Sequence, residues 1–172
     1  VYLLCTDGVA EFDLTTQRFK TLLQGNVDAI YFNEKLYIGK REEVFVYNES
    51  TGNFDLYYHL AGKDITLSCL HLDEKKNLWM GTTSNGLYCL SGDKKISQPV
   101  TRGNIASIYE DSSKELWICT WEEGLYRIKT DSTIENFRHD PKNPNSICAD
   151  FVRSCCEDNA GNLWIGTFHG LN

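Results

Sequence analysis

Short apolar or alternating segments follow one another along the whole chain, separated by polar turns rich in Gly, Asn, Asp and Ser, and apolar residues nowhere recur at helical spacing. This pattern predicts strands throughout. The most distinctive segment is Leu78-Trp79-Met80-Gly81-Thr82, which returns as Leu116-Trp117-Ile118-Cys119-Thr120 and Leu163-Trp164-Ile165-Gly166-Thr167. Two weaker copies precede these: Leu36-Tyr37-Ile38-Gly39-Lys40 keeps the aromatic and the glycine, and Tyr2-Leu3-Leu4-Cys5-Thr6 keeps the apolar pattern and the threonine. Their central residues, Leu3, Tyr37, Trp79, Trp117 and Trp164, are separated by 34, 42, 38 and 47 residues. A period near forty residues belongs to propellers and solenoids.

The flanks favour a propeller. An apolar segment ending in a polar turn precedes each of the last four copies (residues 29–32, 67–72, 105–110 and 152–157) and reads as strand one, with the motif as strand two. Strand three follows at residues 8–13, 43–48, 86–91 and 124–129, and strand four at 18–23, 54–60, 96–100 and 134–140. Four short strands per repeat predict an all-β fold, a β-propeller of four-stranded antiparallel blades. Strand two occurs five times, whereas strands one, three and four occur four times and a fifth strand three begins at Gly170-Leu171-Asn172. Residues 1–172 are therefore expected to be one partial propeller, about four blades plus part of a fifth, from a larger ring.

Alternation places Trp79, Trp117 and Trp164 on one blade face, where a large aromatic fills the gap between splayed sheets. The motif glycine suits close backbone approach or a bulge, and Gly8, Gly86, Gly124 and Gly170 suit a turn with positive φ. Cys119 in the motif-glycine position favours close packing over a left-handed backbone there. Asp73, Asp111 and Asp158 read as turn residues.

Charge and composition narrow the function classes. A formal net charge of −7 with no Lys/Arg cluster argues against nucleic acid as a partner. No apolar run is long enough to span a membrane, and any signal peptide or anchor is expected outside these residues. Seven cysteines leave at least one unpaired in a monomer, and without a Cys-x-x-Cys spacing they read as small buried hydrophobes. The histidines, His59, His71, His139 and His169, lack metal-ligand spacing, since Cys69-x-His71 has no third ligand. Nucleophile-elbow, P-loop and sialidase-type motifs are absent. No catalytic residue, cofactor or metal is predicted, and Asn48-Glu49-Ser50, although an N-glycosylation sequence, falls where a turn needs Asn.

In an up-and-down blade the loop between strands two and three and the blade-to-blade connection lie on one side. That side carries residues 83–85, Trp121, Glu122, Phe168, His169 and the long 140–150 loop, with Arg138 just ahead of it. Trp121 and Phe168 follow the motif threonine, where core packing does not require an aromatic. Together with Glu122, His169 and Arg138 they form the predicted ligand-binding set, flat rings beside polar groups.

The run Arg138-His139-Asp140-Pro141-Lys142-Asn143-Pro144-Asn145-Ser146-Ile147, followed by Val152-Arg153-Ser154, Glu157-Asp158, Gly161-Asn162-Leu163-Trp164-Ile165-Gly166-Thr167 and Gly170-Leu171-Asn172, resembles the two-component regulator propeller repeat. Tyr47-Asn48-Glu49-Ser50-Thr51-Gly52-Asn53-Phe54 is similar to a turn of the same family, whereas Lys40 and Glu43 depart from its usual Thr and Gly. The resemblance spans the chain in register, weakly over the first forty residues. It implies a periplasmic sensor region of a hybrid two-component histidine kinase of Bacteroides type. The implied ligand is an oligosaccharide, and the implied partners are the remaining blades and kinase domains of a parent protein, with a homodimer of that parent as a candidate assembly. A protein-interaction scaffold and a glycan lyase or hydrolase propeller are the alternatives.

Overall fold

A computed structural model describes residues 1–5, 8–62, 64–93, 95–100 and 103–172; Thr6, the end of the first motif copy, lies outside these. The described residues form strands, turns and bends with no helix, and hence none long and apolar enough to cross a membrane. Among the described residues, eighteen strands fall into five antiparallel sheets. The first holds β1 (Tyr2–Cys5), β2 (Gly8–Asp13) and β3 (Arg18–Gln24), and the second β4 (Ala29–Asn33), β5 (Lys35–Lys40), β6 (Glu43–Asn48) and β7 (Asn53–His59). The third holds β8 (Leu67–Leu72), β9 (Leu78–Thr82), β10 (Leu87–Leu90) and β11 (Ile96–Val100), and the fourth β12 (Ile105–Glu110), β13 (Leu116–Thr120), β14 (Leu125–Ile128) and β15 (Ile134–Phe137). The fifth holds β16 (Val152–Glu157), β17 (Leu163–Thr167) and β18 (Gly170–Leu171). Within each sheet, strands follow sequence order, which is the up-and-down propeller blade.

The expected boundaries agree closely, with one instructive exception. The last strand four ends at Phe137 rather than Asp140, because the next amide N–H groups bond to side chains instead of a neighbouring strand: His139 donates to Asp150 Oδ1 (2.7 Å) and Asp140 to Ser146 Oγ (2.9 Å).

Apolar residues of consecutive blades interdigitate. Val44 and Tyr37 of the second blade pack with Leu67, Leu70 and Met80 of the third. Trp79 and Leu87 of the third pack with Leu116 and Ile118 of the fourth, and Cys119 and Leu125 of the fourth with Val152 and Cys155 of the fifth. The first-position strands β4, β8, β12 and β16 are neighbours in succession and form the inner lining of the array. Ser68 Oγ donates to the carbonyl of Ile105 (2.7 Å) and Ser107 Oγ to that of Arg153 (3.0 Å), stitching inner strands of adjacent blades together.

The motif is held by two local devices. Six residues before each tryptophan an aspartate accepts its indole N–H: Trp79 to Asp73 (2.9 Å), Trp117 to Asp111 (2.8 Å) and Trp164 to Asp158 (2.8 Å). The other oxygen of each carboxylate accepts the amide of Asn77, Glu115 or Asn162, and a left-handed residue, Lys76, Lys114 or Gly161, completes the turn. One carboxylate thus closes the hairpin and orients the aromatic. The second blade needs no such clamp, because Asn33 pairs directly with Lys35 across Glu34, itself at φ 58°.

Thr82, Thr120 and Thr167 of the motif each close the next loop. Thr82 Oγ1 donates to the carbonyl of Gly86 (2.8 Å) and accepts the amide of Asn85, and Thr120 does the same with Gly124 and Glu123. Gly124, at φ 78°, is irreplaceable here, since a Cβ would sit 2.2 Å from the carbonyl oxygen of Phe137. The motif glycine serves a different purpose. At Gly81 a Cβ would sit 2.4 Å from Cys69 Sγ and 2.8 Å from Ile105 of the next blade, so it permits close approach with an ordinary backbone.

The tryptophans are not equally enclosed. Trp79, covered by the fourth blade, is 7% exposed; Trp117 is partly buried, stacked on Phe137 and capped by the Arg127 guanidinium; Trp164 is 43% exposed. Asn48 is a turn former as expected, accepting the amides of Ser50 and Thr51 and donating to Asp55.

Candidate ligand-binding face

The loop side gathers the predicted aromatics into a row. Trp121 and Phe168, first residues after Thr120 and Thr167, are held by amide bonds to carbonyls just before their own blade's inner strand: Trp121 N–H to Asn104 (3.1 Å) and Phe168 N–H to Phe151 (3.0 Å). Phe151 stands between them. Its ring lies 4.5 Å from Trp121 at 72° and 5.5 Å from Phe168, and His169 continues the series 5.7 Å beyond. Trp121 is 37% and Phe168 77% exposed, an unusual display of large apolar rings at adjacent positions.

Trp121 also walls an open depression of about 380 Å³, lined further by Ser68, Thr83, Asn104, Ile105, Ala106, Arg153 and Ser154. Three of these residues share a structural origin. Register shifts at Leu67/Cys69, Ile105/Ser107 and Val152/Ser154 insert one extra residue into β8, β12 and β16: Ser68, Ala106 and Arg153. Such a bulge bends the strand and re-aims its extra side chain. Here all three line the depression, while Leu67, Ile105 and Val152 beside them are buried, Ile105 touching its wall as well.

Arg138 and Glu122 occupy a supporting position. The Arg138 guanidinium donates to Asp150 from Nε (3.0 Å) and Nη2 (2.6 Å), and Nη2 also reaches the main-chain carbonyl of Glu122 (3.0 Å). It braces the Trp121 loop against the 140–150 connection. That connection is itself ordered, with Lys142 N–H on Asp140 Oδ1 and Asn145 N–H on Asn143 Oδ1, and its own Ile147 and Ala149 are buried.

Phe151 and the bulge residues are the members that sequence reasoning missed. The signal for Phe151 was a ring just before strand one, where Thr66 and Asn104 stand in the preceding blades. The bulges leave no such trace, since an inserted residue is invisible in a period that already varies.

Although burial opposes ionisation of Asp150, the Arg138 guanidinium and the His139 N–H outweigh it and hold the carboxyl below the ordinary aspartate range. A depressed native pKa contributes stability that is complete above the unfolded value near 4 and lost as pH falls through the native one. Faster hydrogen exchange at Ile147 and Ala149 is therefore expected below about pH 4, without global unfolding at first. Protection that persists unchanged down to pH 2 would disprove the bracing role.

Other titratable groups offer little chemistry. Burial pushes the Cys69 thiol up to about 12 and lowers His71, whose ring packs edge-on against Tyr31 and lies 3.4 Å from Glu110. Among the described residues no three His, Cys, Asp or Glu side chains cluster as a metal site.

Residues 100–122 and 146–169, the two stretches that contain the Trp117 and Trp164 motifs, match the model of the two component regulator propeller. No curated protein matches this chain in sequence. Among solved structures it superposes on the extracellular domain of a hybrid two component system from B. thetaiotaomicron with a TM-score of 0.81 at 22% identity, covering 99% of this chain and 25% of that one. A second extracellular domain from the same organism gives 0.80 at 23% identity, over 99% of this chain and 24% of that one. Virginiamycin B lyase from Staphylococcus aureus gives 0.72 at 14% identity, covering 97% and 62%. At these identities the likeness is one of fold. The chain spans about a quarter of the length of its B. thetaiotaomicron neighbours.

Proposed function

We propose that this chain is part of an extracytoplasmic sensor that recognises an oligosaccharide and passes the signal to a kinase outside it. The observation that carries the reading is the exposed row Trp121–Phe151–Phe168–His169 beside a depression of mixed apolar and polar lining. Sugar rings present flat C–H faces that stack on aromatics, and hydroxyls that pair with groups such as Asn104, Thr83 and Arg153. The similarity of the repeats to two-component regulator propellers, and of the fold to extracellular domains of hybrid two component systems, supports the sensory and extracytoplasmic parts.

The test is titration with a panel of oligosaccharides of varied composition and linkage, followed by tryptophan fluorescence and calorimetry. The expected result is saturable binding of at least one glycan without chemical change, with perturbed Trp121 emission. Turnover of a bound glycan would replace sensing with catalysis, and binding of none would refute recognition by this face.

A further inference from the structure

We propose that Cys119 and Cys155 are a disulfide site that covalently joins the fourth and fifth blades. Their sulfurs lie 3.6 Å apart across the blade interface, one on β13 and the other on β16. Both are enclosed, at 0% and 8% exposure, within the cluster formed by Leu125, Ile147 and Val152. All seven cysteines are thiols here.

The placement departs from the repeat. Gly39, Gly81 and Gly166 occupy the position that Cys119 holds in the fourth blade, and at Gly39 and Gly81 a Cβ would press on Leu67 or Ile105 of the next inner strand. In the fifth blade the residue at that inner-strand position is Val152, one methylene smaller than either. Space for a side chain at residue 119 and a thiol opposite it at residue 155 therefore arise together. The thiols also interact: the hydrogen bond between them holds the Cys119 thiol below its ordinary value, while the same contact and burial push Cys155 up. Closing from 3.6 Å to a bond of about 2.05 Å requires a combined sulfur movement of roughly 1.5 Å.

The oxidant is a disulfide, either a small one or that of a thiol oxidoreductase. The Cys119 thiolate attacks one of its sulfurs and expels the first thiolate; the deprotonated Cys155 then displaces the second half, so two protein thiols and one external disulfide become one internal disulfide and two external thiols. Enclosure of both sulfurs dictates that exchange precedes closure of the two blades and that the finished bond is shielded from reductant. The source of oxidant in the cell rests on the extracytoplasmic reading, whereas the site itself does not.

Refolding the chain from denaturant in a mixture of oxidised and reduced glutathione tests the site. Titratable thiols are expected to fall from seven to five, peptide mapping to join Cys119 to Cys155, and the Tm to exceed that of the fully reduced protein by about 5–10 °C. Cys156→Ser is expected to retain the bond and Cys119→Gly to lose it; Cys155→Val provides a second loss variant should Cys119→Gly fold poorly. Seven titratable thiols after refolding, or a bond from either residue to Cys148 or Cys156, would overturn the proposal. Glycan binding is independent of both outcomes, so failure of one reading leaves the other standing.

Discussion

Replacing Asp73 by alanine is expected to lower the unfolding free energy by about 3–4 kcal/mol and the Tm by about 10 °C. This buried carboxylate accepts the amide of Asn77 (2.8 Å), the Asn77 side-chain N–H (2.8 Å) and the Trp79 indole N–H (2.9 Å). Hydrogen bonds to a charged acceptor contribute about 1.5–3 kcal/mol each, and a donor left unpaired in the interior adds its own desolvation cost. Trp79 is 7% exposed and packs against Leu116 and Ile118, so its indole N–H has less access to water than that of an exposed ring. The corresponding change at Asp158 should weaken the fold less, because Trp164 is 43% exposed and its indole N–H is within reach of solvent. Urea unfolding of the two variants side by side decides the matter. Equal losses would mean that the carboxylates act only as turn formers, with no part in holding the tryptophans.

The second large effect concerns recognition. Trp121→Ala is expected to weaken binding of whichever glycan the chain takes by at least about 30-fold, roughly 2 kcal/mol, the scale of a central aromatic anchor. Trp121→Phe should recover much of the loss, since a flat ring remains 4.5 Å from Phe151. Phe168→Ala, at the exposed end of the row, should weaken binding by a smaller factor. Calorimetric Kd values for these three variants, with circular dichroism to establish that each is folded, supply the test. Full affinity in Trp121→Ala would remove the aromatic row from the binding face.

The fold was legible because a blade repeats its grammar. Leu67–Leu72, Ile105–Glu110 and Val152–Glu157 form strands at the expected limits, since each is an apolar segment closed by an Asx-type turn. Asp73, Asp111 and Asp158 were legible as turn residues, but their second task was not, although the constant six-residue interval to the tryptophan was its trace. Burial of the motif aromatic could be read only in part: the chemistry of Trp164 equals that of Trp79, and the difference lies in whether another sheet packs against it. The loop side behaved likewise. Trp121 and Phe168 stand out by position alone, whereas the use of Arg138 to grip Asp150 depends on a long-range approach that spacing does not encode.

The bulges in β8, β12 and β16 carry a consequence for diversification. At each, a buried aliphatic that the blade needs (Leu67, Ile105 or Val152) sits beside an inserted residue that differs in every copy, a hydroxyl at Ser68, a methyl at Ala106 and a guanidinium at Arg153. Folding information and lining chemistry are thereby written at separate addresses one residue apart. Mutation can redraw the polarity of the inner mouth, one site per blade, while the selection that preserves the core acts on its neighbour.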